Sequence, residues 1–197
     1  MPDLTMFVIR HGQTDYNRDA RLQGSRDIAL NDTGRTQAAQ NGRSLASLPA
    51  FDAELFDWVA SPLGRTRETM ELVRAHAGLA PGAYRTDPLL IELSFGDWEG
   101  STLAELEART PGLIRNRDLD KWDFRPPGDR AESYEMMARR IDAFLKTVTL
   151  PTVCVAHGGT IRAIFNRIGR ISGQEAAMMD VPQDQILAIA GDRLHWI

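Results

Sequence analysis

Two rhythms of apolar positions alternate along the chain. In "MFVIRHGQTDYN" an unbroken apolar run ends abruptly in Arg10-His11-Gly12, which predicts a buried strand from Thr5 to Ile9 followed by a polar loop reaching Asp32. Ala38, Ala39, Gly42, Leu45 and Ala46 then recur at helical spacing, and Leu48-Pro49 closes that helix. "FDWVAS" reads as a short strand. Behind it Ser61-Pro62 predicts a helix start, since serine caps and proline at the first helical position forfeits no needed N–H. Leu63, Thr66, Met70 and Val73 mark one face of this helix, and "GAYRTDPLL" is expected to be extended.

Thr102 and Glu105 have the spacing of a capping box, for a short helix that Thr110-Pro111-Gly112 ends. No period holds from Leu113 to Arg130, so an irregular excursion is expected there, of the length that often serves as a lid. The longest helix follows, with Tyr134, Met137, Ile141, Phe144 and Val148 on its apolar face. "TVCVA" is a strand, Ile161, Ile164, Phe165 and Ile168 stripe the helix behind it, and "QILAIAGDRLHWI" reads as a hairpin turning at Gly191-Asp192. Strands alternating with helices imply a three-layer α/β/α sandwich with a mostly parallel central sheet, to which the terminal hairpin can add an antiparallel edge.

Composition narrows the field. The 197 residues suit one domain, 1–197, and no linker interrupts them. A net charge of −4, with arginines scattered or beside acids, argues against a nucleic-acid partner. No apolar run nears the roughly 20 residues of a membrane span, and the N-terminus lacks the pattern of a signal peptide, so a cytoplasmic protein is expected. The single cysteine, Cys154, lies inside an apolar strand and reads as core.

In a parallel sheet, ligands bind outside the carboxyl ends of the strands. Arg10-His11-Gly12 occupies one such end. "CVAHGGT" repeats the pattern, with His157 after a strand and Gly158 opening a helix whose free N–H groups favour an anion. Arg65 lies in the first turn of a third post-strand helix, and a fourth extended segment runs into Glu92. Singly, each has a bland explanation as a turn, packing or ion-pairing residue. Jointly, two imidazoles, two guanidinium groups and one carboxylate suit phosphoryl transfer. A neutral imidazole can attack phosphorus, guanidinium groups meet the charge on the phosphoryl oxygens, and a carboxylic acid beside a dianionic substrate can protonate the leaving oxygen. Zinc ligation by His11 and His157 fits less well, because the arginines would repel a divalent cation.

"VIRHGQTDYN", "LNDTGRTQA", "ASPLGRTRETM", "ELSFGDWEG" and "VAHGG", in this order between Phe7 and about Ile168, resemble the histidine phosphatase superfamily of phosphoglycerate-mutase-like proteins. The resemblance implies the fold inferred above and names His11 as the phosphohistidine. It implies that Arg10, Arg65 and His157 bind the phosphoryl group, that Glu92 is the proton donor, and that Asn17, Gln23 and Gly24 contact substrate. "PPGDRAES" departs from the family's segment at Asp129-Arg130-Ala131. A phosphatase of small phosphorylated metabolites, needing no metal or cofactor, is the expected activity. The classical mutases carry a longer interval than the one here between Glu92 and His157; mutase action and non-catalytic phospho-ligand binding are the alternatives. The excursion's Arg115, Arg117, Lys121 and Arg125 could read a second anion, or pair with Asp118, Asp120 and Asp123 in a solvated loop.

Overall fold

In the computed structural model, which describes residues 5–49 and 51–197, strand β1 spans Thr5–Arg10 and carries the apolar run one residue beyond the expected end, so Arg10 belongs to the sheet. The following loop contains a one-turn helix, α1 (Asp15–Arg18), which the sequence pattern missed. Thr14 caps it and Asn17 returns the bond, forming a capping box within four residues. Helix α2 (Asp32–Ala46) starts at the Asn31 cap and buries Ala38, Gly42 and Leu45.

Strand β2 (Asp57–Ala60) leads to helix α3 (Gly64–His76). The expected Ser61-Pro62 start does not form. Leu63 occupies the cap position without a side-chain bond, and the Asp27 carboxylate accepts from Gly64 N at 2.9 Å instead. The stretch expected to be extended contains only a two-residue strand, β3 (Arg85–Thr86), before a 3₁₀ turn at Pro88–Leu90 that Asp87 caps. Glu92 therefore follows a turn and not a strand.

Helix α4 (Leu103–Arg109) has the predicted Thr102–Glu105 capping box. The expected irregular excursion is partly helical, since α5 (Leu113–Leu119) begins at Gly112, whose φ of 84° suits glycine. Its remainder is packed. Trp98 stacks on Phe124 at 5.2 Å, Trp122 stacks on Tyr134 at 6.0 Å, and Arg125 donates to the carbonyl of Ala131 at 2.7 Å. The excursion thus combines an aromatic cover with a solvated face on which Arg115, Asp120, Asp123 and Arg125 are exposed. Arg117 is buried and lies 3.3 Å from Asp118, so pairing and burial coexist in it.

Helix α6 (Tyr134–Thr147), strand β4 (Thr152–Ala156), helix α7 (Gly158–Arg167) and a further short helix, α8 (Gly173–Met178), precede the hairpin of β5 (Ile186–Ala190) and β6 (Arg193–Trp196). The sheet order is β3-β2-β4-β1-β5-β6. Strands β1 to β4 are mutually parallel, and the hairpin joins β1 antiparallel, as expected.

Alternation along the strands sorts the core into two layers. Met6, Val8, Cys154, Ala156, Leu187 and Ile189 face the α6–α7–α8 side, where Met137, Ile141, Phe144 and Ile164 wait. Ile9, Trp58, Ala60, Val153, Val155 and Ile186 face α2 and α3, meeting Leu45, Met70 and Val73. This is the three-layer sandwich, with Cys154 in its interior as read. No helix among the described residues is long and apolar enough to cross a membrane.

Phe144 is fully buried between α6 and the sheet. Phe144→Ala is expected to cost about 3–5 kcal/mol, through lost burial and the cavity left behind. Urea titration followed by circular dichroism measures it, and a loss under about 1 kcal/mol would mean this layer repacks freely.

Candidate active site

Strands β1 and β4 are neighbours, and Arg10 pairs in register with Ala156. His11 and His157 therefore leave the sheet side by side at its carboxyl edge. Their ring centroids are 5.2 Å apart at 63°, and both side chains are buried. His11 Nδ1 lies 2.8 Å from the carbonyl of its neighbour Gly12. A carbonyl only accepts, so Nδ1 bears the proton and Nε2 keeps its lone pair. That lone pair receives Arg65 Nε at 3.3 Å.

Arg65 is completely buried and, among the described residues, has no carboxylate within ion-pair distance. Its Nη1 donates to Arg26 O at 2.5 Å and its Nη2 to Gly24 O at 2.9 Å. Arg10 donates from Nη1 to Val181 O at 2.6 Å, while its buried Nε has no partner. His157 Nε2 lies 2.8 Å from Ser61 Oγ, and its buried Nδ1 is unpartnered. Glu92 points at the start of α7: Oε2 accepts from Gly159 N at 3.3 Å and Oε1 from Leu93 N at 2.9 Å. A Cβ at position 159 would stand 2.4 Å from Glu92 Oε1, so glycine there lets the carboxylate close on the helix. Arg140 of α6 fixes the approach to Glu92, donating to Leu89 O at 2.6 Å and Ile91 O at 2.7 Å.

The five residues first selected on chemistry thus lie together at the carboxyl edge of the sheet. The secondary set divides. Asn17 Oδ1 accepts from Thr14 N, from Thr14 Oγ1 and from Gln183 Nε2, so that oxygen has a local job. Gln23 is buried with Oε1 unpartnered. Gly24 enters through its backbone carbonyl on Arg65. Gly158 opens α7 beside Arg10, whose Nε would lie 3.6 Å from a Cβ there.

Several contributors escaped the sequence pattern. Ser61, read as a helix cap, holds His157 instead. Gln183 donates to both His11 O and Asn17 Oδ1, at 2.9 and 3.1 Å. Thr69 Oγ1 accepts from Gly12 N at 3.1 Å. Arg162 donates twice to Met179 O, and its Nη1 would lie 3.1 Å from a Cβ at Gly158. None of these sits in a recognisable spacing, because each acts across the fold.

The electrostatics are those of a cluster of buried cations and neutral imidazoles. Burial, reinforced by the charge of Arg162, pulls the Arg10 guanidinium down to about 10. Burial also lowers Arg65, against which the carboxylates of Glu92, Asp27 and Glu99 act. Both imidazoles are held well below 6.5, first by burial and then by the adjacent guanidinium charges, so they are neutral at pH 7.

Comparison with known proteins is consistent with this geometry. Residues 6–196 match the model of the histidine phosphatase superfamily (branch 1). The chain belongs to this superfamily. Among its members, a glucosyl-3-phosphoglycerate phosphatase of Mycolicibacterium vanbaalenii is 29% identical over 94% of this chain and 79% of its own length. The fructose-2,6-bisphosphatase TIGAR B of Danio rerio is 34% identical over 75% of this chain and 54% of its own. The solved structure of a mycobacterial glucosyl-3-phosphoglycerate phosphatase in complex with VO3 superposes with a TM-score of 0.78, at 28% identity, over 98% of this chain and 96% of that one.

Depressed histidines make stability depend on pH. As pH falls through 6.5 the unfolded chain gains protons at His11 and His157 that the folded chain refuses. Stability is therefore complete above 6.5 and lost below it, by up to about 1.4 kcal/mol per pH unit for each histidine. Urea titrations between pH 7 and pH 5.5, in buffer free of phosphate, should give a shallower slope for His157→Asn than for the parent; equal slopes would contradict the buried neutral state.

Proposed function

We propose that this chain is a metal-independent phosphatase of small phosphomonoesters, working through a phosphohistidine on His11. The observation that carries the reading is the His11 tautomer: Nδ1–H held by Gly12 O, and an Nε2 lone pair turned to the buried Arg65 guanidinium, with Arg10 Nε unpartnered in the same cluster. A phosphoryl dianion entering there would be met by Arg65, by Arg10 Nε, by His157 and by the N-terminus of α7 at Gly158. Its charge would oppose the effect of the guanidinium groups on the imidazoles, favouring a protonated, donating His157.

In the first step His11 Nε2 forms a bond to phosphorus as the bond to the leaving oxygen breaks, and Glu92 gives that oxygen its proton. In the second, water attacks phosphorus, the N–P bond breaks, and Glu92 takes the proton back. An alcohol and inorganic phosphate leave, and the residues return to their starting state. Guanidinium groups supply the charge neutralisation, and among the described residues no group of three or more His, Cys, Asp or Glu side chains could hold a metal ion. Asn17, joined to His11 through Gln183, and Gln23, with its unpartnered Oε1, are assigned to substrate contact.

Hydrolysis is favoured over transfer to a bound intermediate because both relatives cited above are named for phosphatase activity. Small phosphorylated metabolites fit this site, whereas the net charge of −4 offers no steering toward nucleic acid. On the same reading residues 1–197 act as one catalytic domain in the cytoplasm.

Phosphate release from 4-nitrophenyl phosphate and a panel of metabolite phosphomonoesters should persist in EDTA. His11→Ala should abolish it together with an acid-labile, base-stable phosphoenzyme trapped by rapid quenching. Efficient isomerisation of 3-phosphoglycerate dependent on a bisphosphate primer would instead select the mutase. Glu92→Gln should reduce turnover of alkyl phosphates by on the order of a hundredfold or more, and of nitrophenyl phosphate far less, since nitrophenolate leaves without a proton. Equal losses on the two substrates would remove Glu92 from the role.

A further inference from the structure

Arg65 is placed by a loop, and that loop is placed by a carboxylate outside the reacting centre. The two acceptors that aim the guanidinium, Gly24 O and Arg26 O, flank Ser25. Ser25 is in turn fastened to Glu99: its N donates to Glu99 Oε1 at 2.9 Å and its Oγ to the same oxygen at 3.1 Å. Glu99 is only 8% exposed in its side chain and approaches Arg26 Nε at 3.7 Å through Oε2. The same Oε1 also accepts from Phe95 N at 3.2 Å and Ser94 Oγ at 3.3 Å, in the segment just after Glu92.

One carboxylate oxygen therefore joins the loop that orients Arg65 to the loop that carries Glu92. Gly24 shows how tight this junction is. Its φ is +54°, and a Cβ there would stand 2.1 Å from Glu99 Oε1. The conformation and the space both demand glycine, and the space is taken by the Glu99 carboxylate. The expected role of Gly24 in substrate contact is thus joined by a nearer one, room for Glu99.

We propose that Glu99 is a positioning residue for phosphoryl transfer: it sets Arg65 through residues 24–26 and keeps it in register with Glu92. The inference rests on the assignment of Arg65 to the phosphoryl group. Glu99 touches no substrate in this account. Its negative charge also acts on the buried Arg65, opposing the loss of charge that burial favours.

A role confined to holding two surface loops together would lower stability without a specific tie to Arg65. A positioning role makes the two residues one unit, so their losses should not multiply. The test is a double-mutant cycle on the affinity for orthovanadate and inorganic phosphate, read by calorimetry so that turnover is not required. Arg65→Leu alone should weaken binding a hundredfold or so, by removal of a preorganised contact. Glu99→Ala alone should weaken it at least tenfold, and in the Arg65→Leu background should add less than about threefold. Glu99→Gln keeps the shape and loses the charge, and should give a smaller loss in the same direction. Gly24→Ala attacks the junction from the other side and should mimic Glu99→Ala without adding to it.

Circular dichroism and thermal melts establish which variants are folded; if Glu99→Ala is not, Glu99→Gln and Gly24→Ala carry the cycle. Unchanged affinity in Arg65→Leu would overturn the placing of Arg65 on the phosphoryl group, and with it any action of Glu99 through that residue. A damaged Arg65→Leu beside folded Glu99 variants that bind normally, or whose losses multiply with it, would overturn the positioning role alone.

Discussion

A guanidinium buried with no counter-carboxylate among the described residues is the constraint around which this molecule is organised. Arg65 has lost its water and gained in exchange two backbone carbonyls and an imidazole nitrogen. Those partners take three of its five N–H donors and leave most of its charge uncancelled. An ion pair would have been cheaper to bury, but it would also have neutralised the field that a phosphoryl dianion needs. The carboxylates that act on Arg65, those of Glu92, Asp27 and Glu99, stand back from it. Each has other work: Glu92 receives α7, Asp27 caps α3, and Glu99 fastens residues 25, 94 and 95.

This arrangement needs a rigid frame, and the core supplies one on both faces of the sheet. Every strand residue of β4 is buried, and β1 lies beside it with its alternate side chains in opposite layers. A sheet held this firmly from both sides offers no slack at its carboxyl edge. Register then does the positioning, since a slip of one residue between β1 and β4 would turn Arg10 to the wrong face and separate the imidazoles.

The parts legible in the sequence were those governed by local rules. Strand runs, the stripe on α6, the Thr102 capping box and the hairpin turn each leave a pattern within a few residues. So did the placement of His11, Arg10 and His157, because strand ends in a parallel sheet converge by topology. What failed depended on distance. Ser61-Pro62 has the composition of a helix start, yet a contact with His157, 96 residues away, claims the hydroxyl, and Asp27 caps the helix from another loop. Helix α5 was invisible because its seven residues are too few to display a period. Gln183 and Glu99 could not have been found by spacing at all, since their partners lie in other loops and strand ends.

That division has a physical cause with a consequence for how such sites diversify. Groups proposed to meet the phosphoryl are tied to strand ends and to the first turns of helices, where any shift disturbs the core. The surroundings of the leaving group are built differently. On the proposed reading that side is reached through Glu92, whose loop packs with α5 and the aromatic cover on Trp98 and Tyr134, a layer that contributes nothing to sheet pairing. Changes in this cover can alter which alcohol fits while His11, Arg10, Arg65 and His157 keep their geometry. Glu92 lies at the boundary, bonded to α7 on one side and joined through Leu93 to the cover on the other. The proton donor proposed here is thus tied both to the sheet edge, through α7, and to the layer in which substrate preference can change.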